Sequence, residues 1–433
     1  MSVSLSGASP LSLTALYEAT PSSAPTTEED AVRFIGIAAR AYAAVDEIPA
    51  RIEEGLEFLA AHLGFSADCT ATATAIFITL SRGHQRWTEV IRVRASGPDF
   101  TRAVALHRVL ERVVRREITP RDAADRLARL LEWRMPRSLL LTTMASALLS
   151  SSASLLLRAN LEEAGLVFAL GALVGGAVHL AGGRQKLMPL VTVLLAAIAS
   201  AATFGSDRVG LDHVRPVLAL VASLVILLPG WRLTVSMSEL AEGHWTSGSG
   251  RFLAAVTTLL LLVVGVAVGQ EVVDMPDKIR MVLPAASNVP AWARVLSPLV
   301  AGLSMTHLFS ARRRDAGWVT LICVVTSLAA YLGGRWLGYT AGAFVGSFTA
   351  MAIGGLLARR LRLPYAVLQQ PATVLLVPGT IGFLSFGSLV DRNVTVAIQT
   401  GFQMLIVALS LSIGALLAQV ALRPVMAREY ERR

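Results

Sequence analysis

The stretch Ser138–Leu157, "SLLLTTMASALLSSSASLLL", contains no charged residue over its 20 positions. A helix that crosses the hydrocarbon core of a bilayer needs about 20 predominantly apolar residues. Further apolar runs follow to near the end of the chain, and 54% of the 433 residues are hydrophobic whereas only 16% are charged. This composition is too apolar for an ordinary soluble protein of this length. The sequence therefore predicts a polytopic α-helical protein whose solvent is the lipid bilayer.

The apolar runs predict about ten transmembrane helices, and the distribution of arginine predicts their orientation. The spans are placed at about 138–157, 165–183, 187–205, 215–230, 252–270, 294–309, 316–334, 337–357, 365–389 and 397–421. If the N-terminal region is cytoplasmic, the basic clusters at 312–314 and 359–362 fall in cytoplasmic loops, as the excess of Arg and Lys in inside loops requires. The formal net charge of +9 therefore indicates membrane topology, and no nucleic acid is expected as a partner.

The region before the first span has the pattern of a small soluble α+β domain. A helix with Ile52 and Leu56 on one face is followed by a strand from Cys69 to Leu80, and a hairpin partner is predicted at Trp87 to Arg94. A helix over about 100–116 and another that begins at Thr119 complete the domain. The predicted organisation is a disordered tail (1–27), a cytoplasmic α+β domain (28–137), a first transmembrane repeat (138–272), an extracytoplasmic linker (273–293), a second transmembrane repeat (294–422) and a cytoplasmic tail (423–433).

A Pro-Gly pair recurs at equivalent places in the two halves of the membrane region. It occurs in "VILLPGWRL" and again in "VLLVPGTIGF", at an offset of 378 − 229 = 149 residues, and a serine follows each proline by seven positions. Five spans per half is an odd number, so the two halves must be inserted in opposite orientations. This is the inverted-repeat plan of many secondary transporters, whose substrates bind where corresponding helices are interrupted.

An interrupted helix offers free backbone groups to a ligand. Proline removes an amide donor and glycine tolerates unusual dihedral angles, so amides and carbonyls are left for protein, water or ligand to meet. An amino acid zwitterion matches a helix N-terminus with its carboxylate and free carbonyls with its ammonium. The alternative, that each pair merely ends a helix at the membrane surface, stays open. The predicted substrate-binding residues are Pro229, Gly230, Ser236, Pro378, Gly379 and Ser385.

Three ionisable residues within or beside the spans are candidates for proton coupling. Glu239 follows the first Pro-Gly pair by about two helical turns and is a candidate partner for a proton or for the substrate ammonium, and His179 and His307 lie inside apolar runs. Ionisable groups are rare in such segments and are functional candidates for that reason. An interfacial position without a role in transport is the alternative for each. Gln399 and Gln403 share one face of the last span and are candidates for a polar path or for hydrogen bonds between helices.

Parts of the sequence resemble the bacterial threonine/serine exporter family. "IPARIEEGLEFLAAHLGF" followed by "TATAIFITL" is similar to the opening of that family's soluble domain, and "LLPG" with the downstream "ELAEGHWTSGSGRF" is similar to its membrane motif. The resemblance covers about residues 30–425 and consists of many moderate matches. It implies export of L-threonine and L-serine driven by the proton gradient, across the bacterial inner membrane, with the N-terminal domain and the C-terminus in the cytoplasm.

The rival hypothesis is a membrane-embedded hydrolase whose catalytic groups lie in the N-terminal domain. The sequence has no GxSxG, HExxH or Walker A motif, so neither a hydrolase nor an ATP-driven pump is favoured. The two cysteines, Cys69 and Cys323, are isolated and form no metal-binding spacing. A secondary carrier is expected, and not an enzyme, with no cofactor and no metal. Its expected partners are small amino acids, protons and the lipid bilayer, and a homo-oligomer is compatible with the sequence.

Overall fold

A computed structural model describes most of the chain and divides it into two compact units. The described residues are 27–93, 97–133, 137–157, 159–182, 184, 186–211, 213–273, 291–376, 379–390 and 394–430. Unit 1 is Met1–Pro136 and unit 2 is Arg137–Arg433. The predicted tail at 1–27 lies almost wholly outside the described residues, and so does most of the predicted linker at 273–293.

Unit 1 packs four helices and a three-stranded sheet around one apolar core. Its elements are α1 (Glu28–Ala44), α2 (Pro49–His62), β1 (Ser66–Ala71), β2 (Ala75–Arg82), β3 (Gln85–Arg92), α3 (Phe100–Val114) and α4 (Pro120–Glu132). The strands form an antiparallel meander in the order β1-β2-β3. Alternate residues of β2 point into the core, where Ile76 lies beside Phe34, Leu56 and Leu127, all fully buried. At the start of α4, the Thr119 hydroxyl accepts a hydrogen bond from the Asp122 amide, as its predicted N-cap role requires.

The single strand predicted from Cys69 to Leu80 is wrong, because a turn divides it into β1 and β2. The Thr72 hydroxyl donates to the Ala75 carbonyl and accepts from the Ala75 amide, both at 3.0 Å. A threonine side chain that bonds nearby backbone groups competes with the sheet ladder in this way. The threonine-rich segment therefore contains the turn of a hairpin, and Thr70 pairs with Phe77 across it.

Unit 2 is entirely helical in the part that the structure describes, apart from turns and two short 3₁₀ segments. Its first set of helices is α5 (Leu139–Leu156), α6 (Leu161–Ala181), α7 (Met188–Phe204), α8 (Pro216–Ser223), α9 (Gly230–Ala241) and α10 (Trp245–Val272). The second set is α11 (Ala291–Leu308), α12 (Ala316–Leu337), α13 (Tyr339–Leu361), α14 (Tyr365–Leu375), α15 (Gly379–Val390) and α16 (Val394–Tyr430).

The surface of unit 2 is that of a membrane protein. Six helices in the described part are long and apolar enough to span a bilayer, or seven if the bent pair α14–α15 forms one span. Helix α7 and residues Val295–Leu308 are shorter apolar helices. Large apolar side chains such as Leu190, Val295 and Phe402 are more than 60% exposed, while small serines and threonines fill the interior. Apolar groups outside and small polar groups inside are expected when the solvent is lipid.

The helices of the two sets have matching neighbours. Each helix of the first set corresponds to the helix six places later, and the extensively packed pairs match one to one. The pairs α5–α6, α7–α10, α9–α10 and α6–α8, for example, recur as α11–α12, α13–α16, α15–α16 and α12–α14. From the fourth helix onward the first residues keep one spacing, since 365 − 216, 379 − 230 and 394 − 245 all equal 149.

Glycines close the same helix crossing in both sets. A Cβ atom on Gly265 of α10 would lie 2.3 Å from the Val193 carbonyl oxygen of α7. A Cβ on Gly414 of α16 would lie 2.5 Å from the Phe344 carbonyl oxygen of α13. Both distances are shorter than a real carbon–oxygen contact, so both crossings require the absence of a side chain. The two glycines are again 149 residues apart (414 − 265).

The fourth predicted span, at 215–230, is corrected by the structure. Helix α8 ends at Ser223, and residues 224–228 form turns before α9 begins at Gly230. Proline disfavours helical geometry in the residue before it, and the β-branched pair Val225–Ile226 further lowers helix propensity. The interruption therefore begins five residues before Pro229 instead of at the proline.

The α5–α6 contact generates a first prediction. A Cβ on Gly175 would lie 2.1 Å from the Ser146 Cβ of the facing helix, whereas a Cβ on Gly165 of the same helix would meet nothing within 4 Å. We expect Gly175→Ala to force the two helices apart and to lower the thermal unfolding temperature of the detergent-purified protein by several degrees. Gly165→Ala is the matched control and should unfold at the wild-type temperature. Equal temperatures for both variants would contradict the close contact.

The environment of Cys69 generates a second prediction. Burial, followed by the nearby carboxylates Glu53, Glu57 and Asp68, raises the pKa of this thiol to about 12. Thiolate is the reactive form and appears only as the pH approaches the pKa. In a Cys323→Ser protein at pH 7.5, we expect Cys69 to react with a water-soluble maleimide only after unfolding. An added cysteine in the exposed β2–β3 turn, His84→Cys, should react within minutes. Rapid labelling of native Cys69 would show that the prediction is wrong.

Candidate functional site

Both predicted helix interruptions are present near a Pro-Gly pair. In the first, Pro229 is the N-cap of α9 with φ −81° and ψ 38°, and no side chain caps this helix. The first amides of a helix have no acceptor within the helix, so the start of α9 presents backbone donors. In the second, α14 ends at Leu375 and α15 begins at Gly379, with a bend of about 40° between their axes. Pro378 itself lies outside the described residues.

The two interruptions pack against the same apolar cluster of the bundle. Val225 and Ile226, from the first interruption, pack into one apolar cluster with Val374 and Leu375, from the end of α14. The same cluster contains Leu149 of α5 together with Ala301 and Met305 of α11, so the two corresponding first helices face each other at this point. On the far side, α9 contacts both α14 and α15. The sequence placed these interruptions in separate halves, and the fold brings them together.

The two predicted serines lie in the interior but differ in their hydrogen bonds. Ser236 of α9 is fully buried and donates to the Leu233 carbonyl in its own helix at 2.8 Å. Ser385 of α15 is buried and donates to the Ala397 carbonyl of α16 at 2.7 Å. A hydroxyl that donates its proton keeps lone pairs that can accept. Each serine can therefore accept a hydrogen bond from an ammonium group without losing its bond to a carbonyl.

Glu239 is the most deeply buried of the three ionisable candidates. Its side chain is 1% exposed, in the last turns of α9, and its Oε1 lies 3.0 Å from Nε of Arg251 on α10. A Cβ on Gly248 would lie 2.7 Å from Cγ of Leu240, so the small residue lets α9 and α10 approach closely here. The ion pair thus bridges the two arms of a tight helical hairpin.

His179 and His307 are brought to the same end of the bundle. The glycines of α6 face the serines of α5 in antiparallel register, Gly171 against Ser150 and Gly175 against Ser146. One turn further, this register places His179 opposite Thr142. The Thr142 hydroxyl also lies 3.3 Å from Nε2 of His307 on α11. Both histidines are half-buried, near the ends of their helices.

Gln399 and Gln403 both belong to α16, but their side chains are exposed on the surface of unit 2. This placement does not favour a polar path through the interior of one chain. Elsewhere, within the residues that the structure describes, no group of three or more His, Cys, Asp or Glu side chains is arranged to hold a metal ion.

A second buried ion pair fixes the entry of the first interrupted helix. Glu163, which carries no functional signal in the sequence, is fully buried in the first turn of α6. Its carboxylate accepts from Nε, Nη2 and the backbone amide of Arg215, and from the Asn160 amide, all at 2.7 Å. Arg215 is the N-cap of α8. With four donors the carboxylate is well satisfied, and the bonds fasten the start of α8 to α6.

An apolar outer surface and two interrupted helices that pack against one cluster are features of polytopic membrane transporters. Residues 33–273 match a family model described as a threonine/serine exporter, and residues 294–421 match a second one, described as "Threonine/Serine exporter, ThrE". The chain belongs to the threonine/serine exporter family, so the resemblance found in the sequence is confirmed. Membership indicates amino acid export and implies a transporter instead of an enzyme. No curated protein and no solved structure matches the chain.

Of two further candidates in the structure, Arg251 and Thr142, only Arg251 carries a signal in the sequence. Arg251 follows Glu239 by twelve residues across "LAEGHWTSGSG", and opposite charges on either side of a glycine-rich segment are typical of a hairpin closed by an ion pair. Thr142 carries no such signal, because a threonine in an apolar run is usually bonded to its own helix. Its position beside the histidines depends on helix packing that the sequence does not display.

The Glu163–Arg215 pair generates a third prediction. Glu163→Gln removes the charge that faces a largely buried guanidinium, and breaking such a pair costs about 3 kcal/mol. We expect a clear decrease in the thermal unfolding temperature of the purified protein. Glu162→Gln makes the same change at the neighbouring exposed residue and should change stability by less than about 0.5 kcal/mol. Equal stability of the two variants would refute a structural role for the pair.

Proposed function

We propose that this protein is a secondary active exporter of L-threonine and L-serine, built from two inverted five-span repeats and driven by inward proton flow. Alternating access would result from movement of one repeat against the other. One observation carries the proposal: an interrupted helix recurs after 149 residues with the same helical neighbours, and both interruptions adjoin one cluster. Corresponding interrupted helices are the usual binding sites of secondary transporters.

Ten spans follow if each interrupted pair crosses the membrane once. Helices α8 and α9 have 8 and 12 residues, which at 1.5 Å per residue gives about 30 Å, the thickness of the hydrocarbon core. With α8–α9 and α14–α15 each counted as one span, each set has five spans. An odd number requires opposite insertion of the two sets, which supports the inverted arrangement.

The substrate would bind between the two interruptions, at Pro229, Gly230, Ser236, Pro378, Gly379 and Ser385. The uncapped amides at the start of α9 suit a carboxylate. The remaining lone pairs of Ser236 and Ser385 suit an ammonium or a hydroxyl group. These contacts are of the kind that a small hydroxylated zwitterion makes.

For proton coupling, the proposed candidates are Glu239, His179 and His307. Glu239 is buried and His179 and His307 share one end of the bundle, so protonation of any of them would change the local charge balance. One proton moving down 100 mV supplies about 2.3 kcal/mol, which supports a gradient of roughly fifty-fold.

The proposed location is the bacterial inner membrane, with unit 1 and the C-terminus in the cytoplasm. The basic clusters at 312–314 and 359–362 adjoin helix ends that this orientation places inside, as the charge rule requires. A homo-oligomer is also proposed, because Gln399 and Gln403 are exposed on α16 and amides facing lipid gain hydrogen bonds from a neighbouring helix.

The fourth prediction tests the proposed transport activity. Cells preloaded with a threonine- or serine-containing dipeptide should export the labelled amino acid faster when they contain the protein, and collapse of the proton gradient should remove the difference. Replacement of both Pro229 and Pro378 by alanine should allow the interrupted helices to straighten and should reduce export at least tenfold in normally inserted protein.

The matched control is Pro216→Ala, at the start of α8 and away from the interruption, which should export normally. Export equal to that of cells without the protein would eliminate the proposed substrates. Export that survives the double replacement would eliminate the proposed site, and export that survives collapse of the gradient would eliminate proton drive.

A further inference from the structure

In the described part of unit 2, two buried glutamates differ in how well their carboxylates are satisfied. Glu163 accepts four hydrogen bonds at 2.7 Å. Glu239 has fewer neighbouring donors: Nε of Arg251 lies 3.0 Å from its Oε1 and the Ser247 hydroxyl lies beside it, but neither contact has the geometry of a regular hydrogen bond. A buried carboxylate with so few directed donors is costly. Glu239 therefore keeps capacity for a ligand that Glu163 has already used.

The Glu239–Arg251 pair is present in only one of the two corresponding hairpins. At the offset of 149 residues its counterparts in α15 and α16 are Ser388 and Thr400. Ser388 donates to the Leu384 carbonyl and Thr400 to the Val396 carbonyl, each within its own helix. The α15–α16 hairpin packs without an ion pair at this position, so the hairpin fold does not need one. A role of the Glu239–Arg251 pair at one end of the transport path explains why only one of the two hairpins has it.

The chemistry of the pair matches that of a zwitterion. An arginine guanidinium binds a carboxylate through parallel hydrogen bonds, and a glutamate binds an ammonium. When a zwitterion binds, the pair between Glu239 and Arg251 is replaced by two pairs, one between each residue and the ligand. The total charge of the buried region does not change, so no unpaired charge remains inside. Ser236 precedes Glu239 by three residues on the same buried face of α9 and can meet a side-chain hydroxyl.

We propose that Glu239 and Arg251 form a recognition site for the substrate zwitterion at the α9–α10 hairpin, where the substrate ammonium binds Glu239 and the carboxylate binds Arg251 in place of their mutual contact. The inference rests on the proposed function and adds a second position on the transport path, at the opposite end of α9 from Gly230, where the substrate's charged groups are held. Opening and closing of the internal pair would then report whether substrate is present at this end of the carrier.

The test, which is the fifth prediction, uses the full-length protein in detergent, with ligand-dependent thermal stabilisation as the measure of affinity. L-Threonine should stabilise the wild type at low concentration. L-Threonine amide, which lacks the carboxylate, and N-acetyl-L-threonine, which lacks the ammonium, should each require at least tenfold more. Glu239→Gln and Arg251→Gln should each weaken L-threonine binding at least tenfold. Glu242→Gln, an exposed change of the same kind on the same hairpin, should not.

A pattern of selective loss separates recognition from a structural role. Glu239→Gln should not further weaken the binding of N-acetyl-L-threonine, because this ligand has no ammonium for Glu239 to bind. Arg251→Gln should likewise not further weaken the binding of L-threonine amide, which has no carboxylate. Uniform weakening of all three ligands, or undiminished L-threonine affinity in both variants, would overturn the inference. If the glutamine variants do not fold, Glu239→Asp keeps the charge on a shorter side chain. This variant should bind L-threonine more weakly than the wild type and should bind N-acetyl-L-threonine equally well. An L-threonine affinity equal to that of the wild type would again overturn the inference.

The wild-type measurement keeps this inference distinct from the proposed function. A wild-type protein that neither L-threonine nor L-serine stabilises would contradict the proposed substrates themselves. A wild-type protein that both stabilise, with variants that bind equally well, would leave the exporter proposal standing and remove only the role of Glu239 and Arg251.

Discussion

A backbone amide or carbonyl in the hydrocarbon core has no water to bond, so an interrupted helix is tolerated only where protein or a ligand surrounds it. The rest of unit 2 is arranged around this constraint. The turns before Gly230 and the end of α14 are half-buried, and both pack against one cluster that contains residues of α5 and α11. Corresponding helices from the two sets thus adjoin both interruptions.

Lipid also removes most of the hydrophobic force that would hold the helices together, and close packing of small residues replaces it. Gly265 and Gly414 let two long helices touch the carbonyls of their neighbours at equivalent places. Side-chain hydroxyls add bonds across the same crossings, from Ser200 to the Val266 carbonyl and from Ser347 to the Leu411 carbonyl. The charged contacts are reserved for helix ends, where Glu163 and Arg215 meet.

The length of the apolar runs was sufficient to locate the long helices, because run length follows directly from the thickness of the lipid solvent. The interruptions were also predictable, because proline and glycine disfavour a helix and Pro229 and Gly379 lie in apolar runs that would otherwise be helical. The sequence did not show that α8 stops at Ser223, because the apolar run continues to Leu228 and the low helix propensity of Val225 and Ile226 leaves no visible pattern. Nor did the sequence show that the chain turns at Thr72. That turn depends on hydrogen bonds of one hydroxyl group, and such bonds leave no recurring pattern in the sequence.

The residues of the candidate site could be predicted from their type, but the residues that they contact could not. Glu239 was identifiable as an acid beside a span, whereas its partner Arg251 emerged only when α9 and α10 were seen to fold back on each other. His179 and His307 lie 128 residues apart in the chain. The antiparallel register of α5 and α6 brings His179 to Thr142, and the packing of α11 against α5 brings His307 there. Contacts of this range depend on tertiary packing.

The constant spacing of the last three helices in each set has a consequence for how such a chain can change in length. Measured between first residues, the offsets of α12 and α13 from their counterparts are 316 − 161 = 155 and 339 − 188 = 151, whereas the later offsets are all 149. The connections before the interrupted helix therefore differ in length between the two sets, and those within it do not. From Pro216 to Trp245, and again from Tyr365 to Val394, the number of residues is itself part of the architecture, because a single added residue would rotate α9 or α15 by about 100° and turn its serines away from the centre.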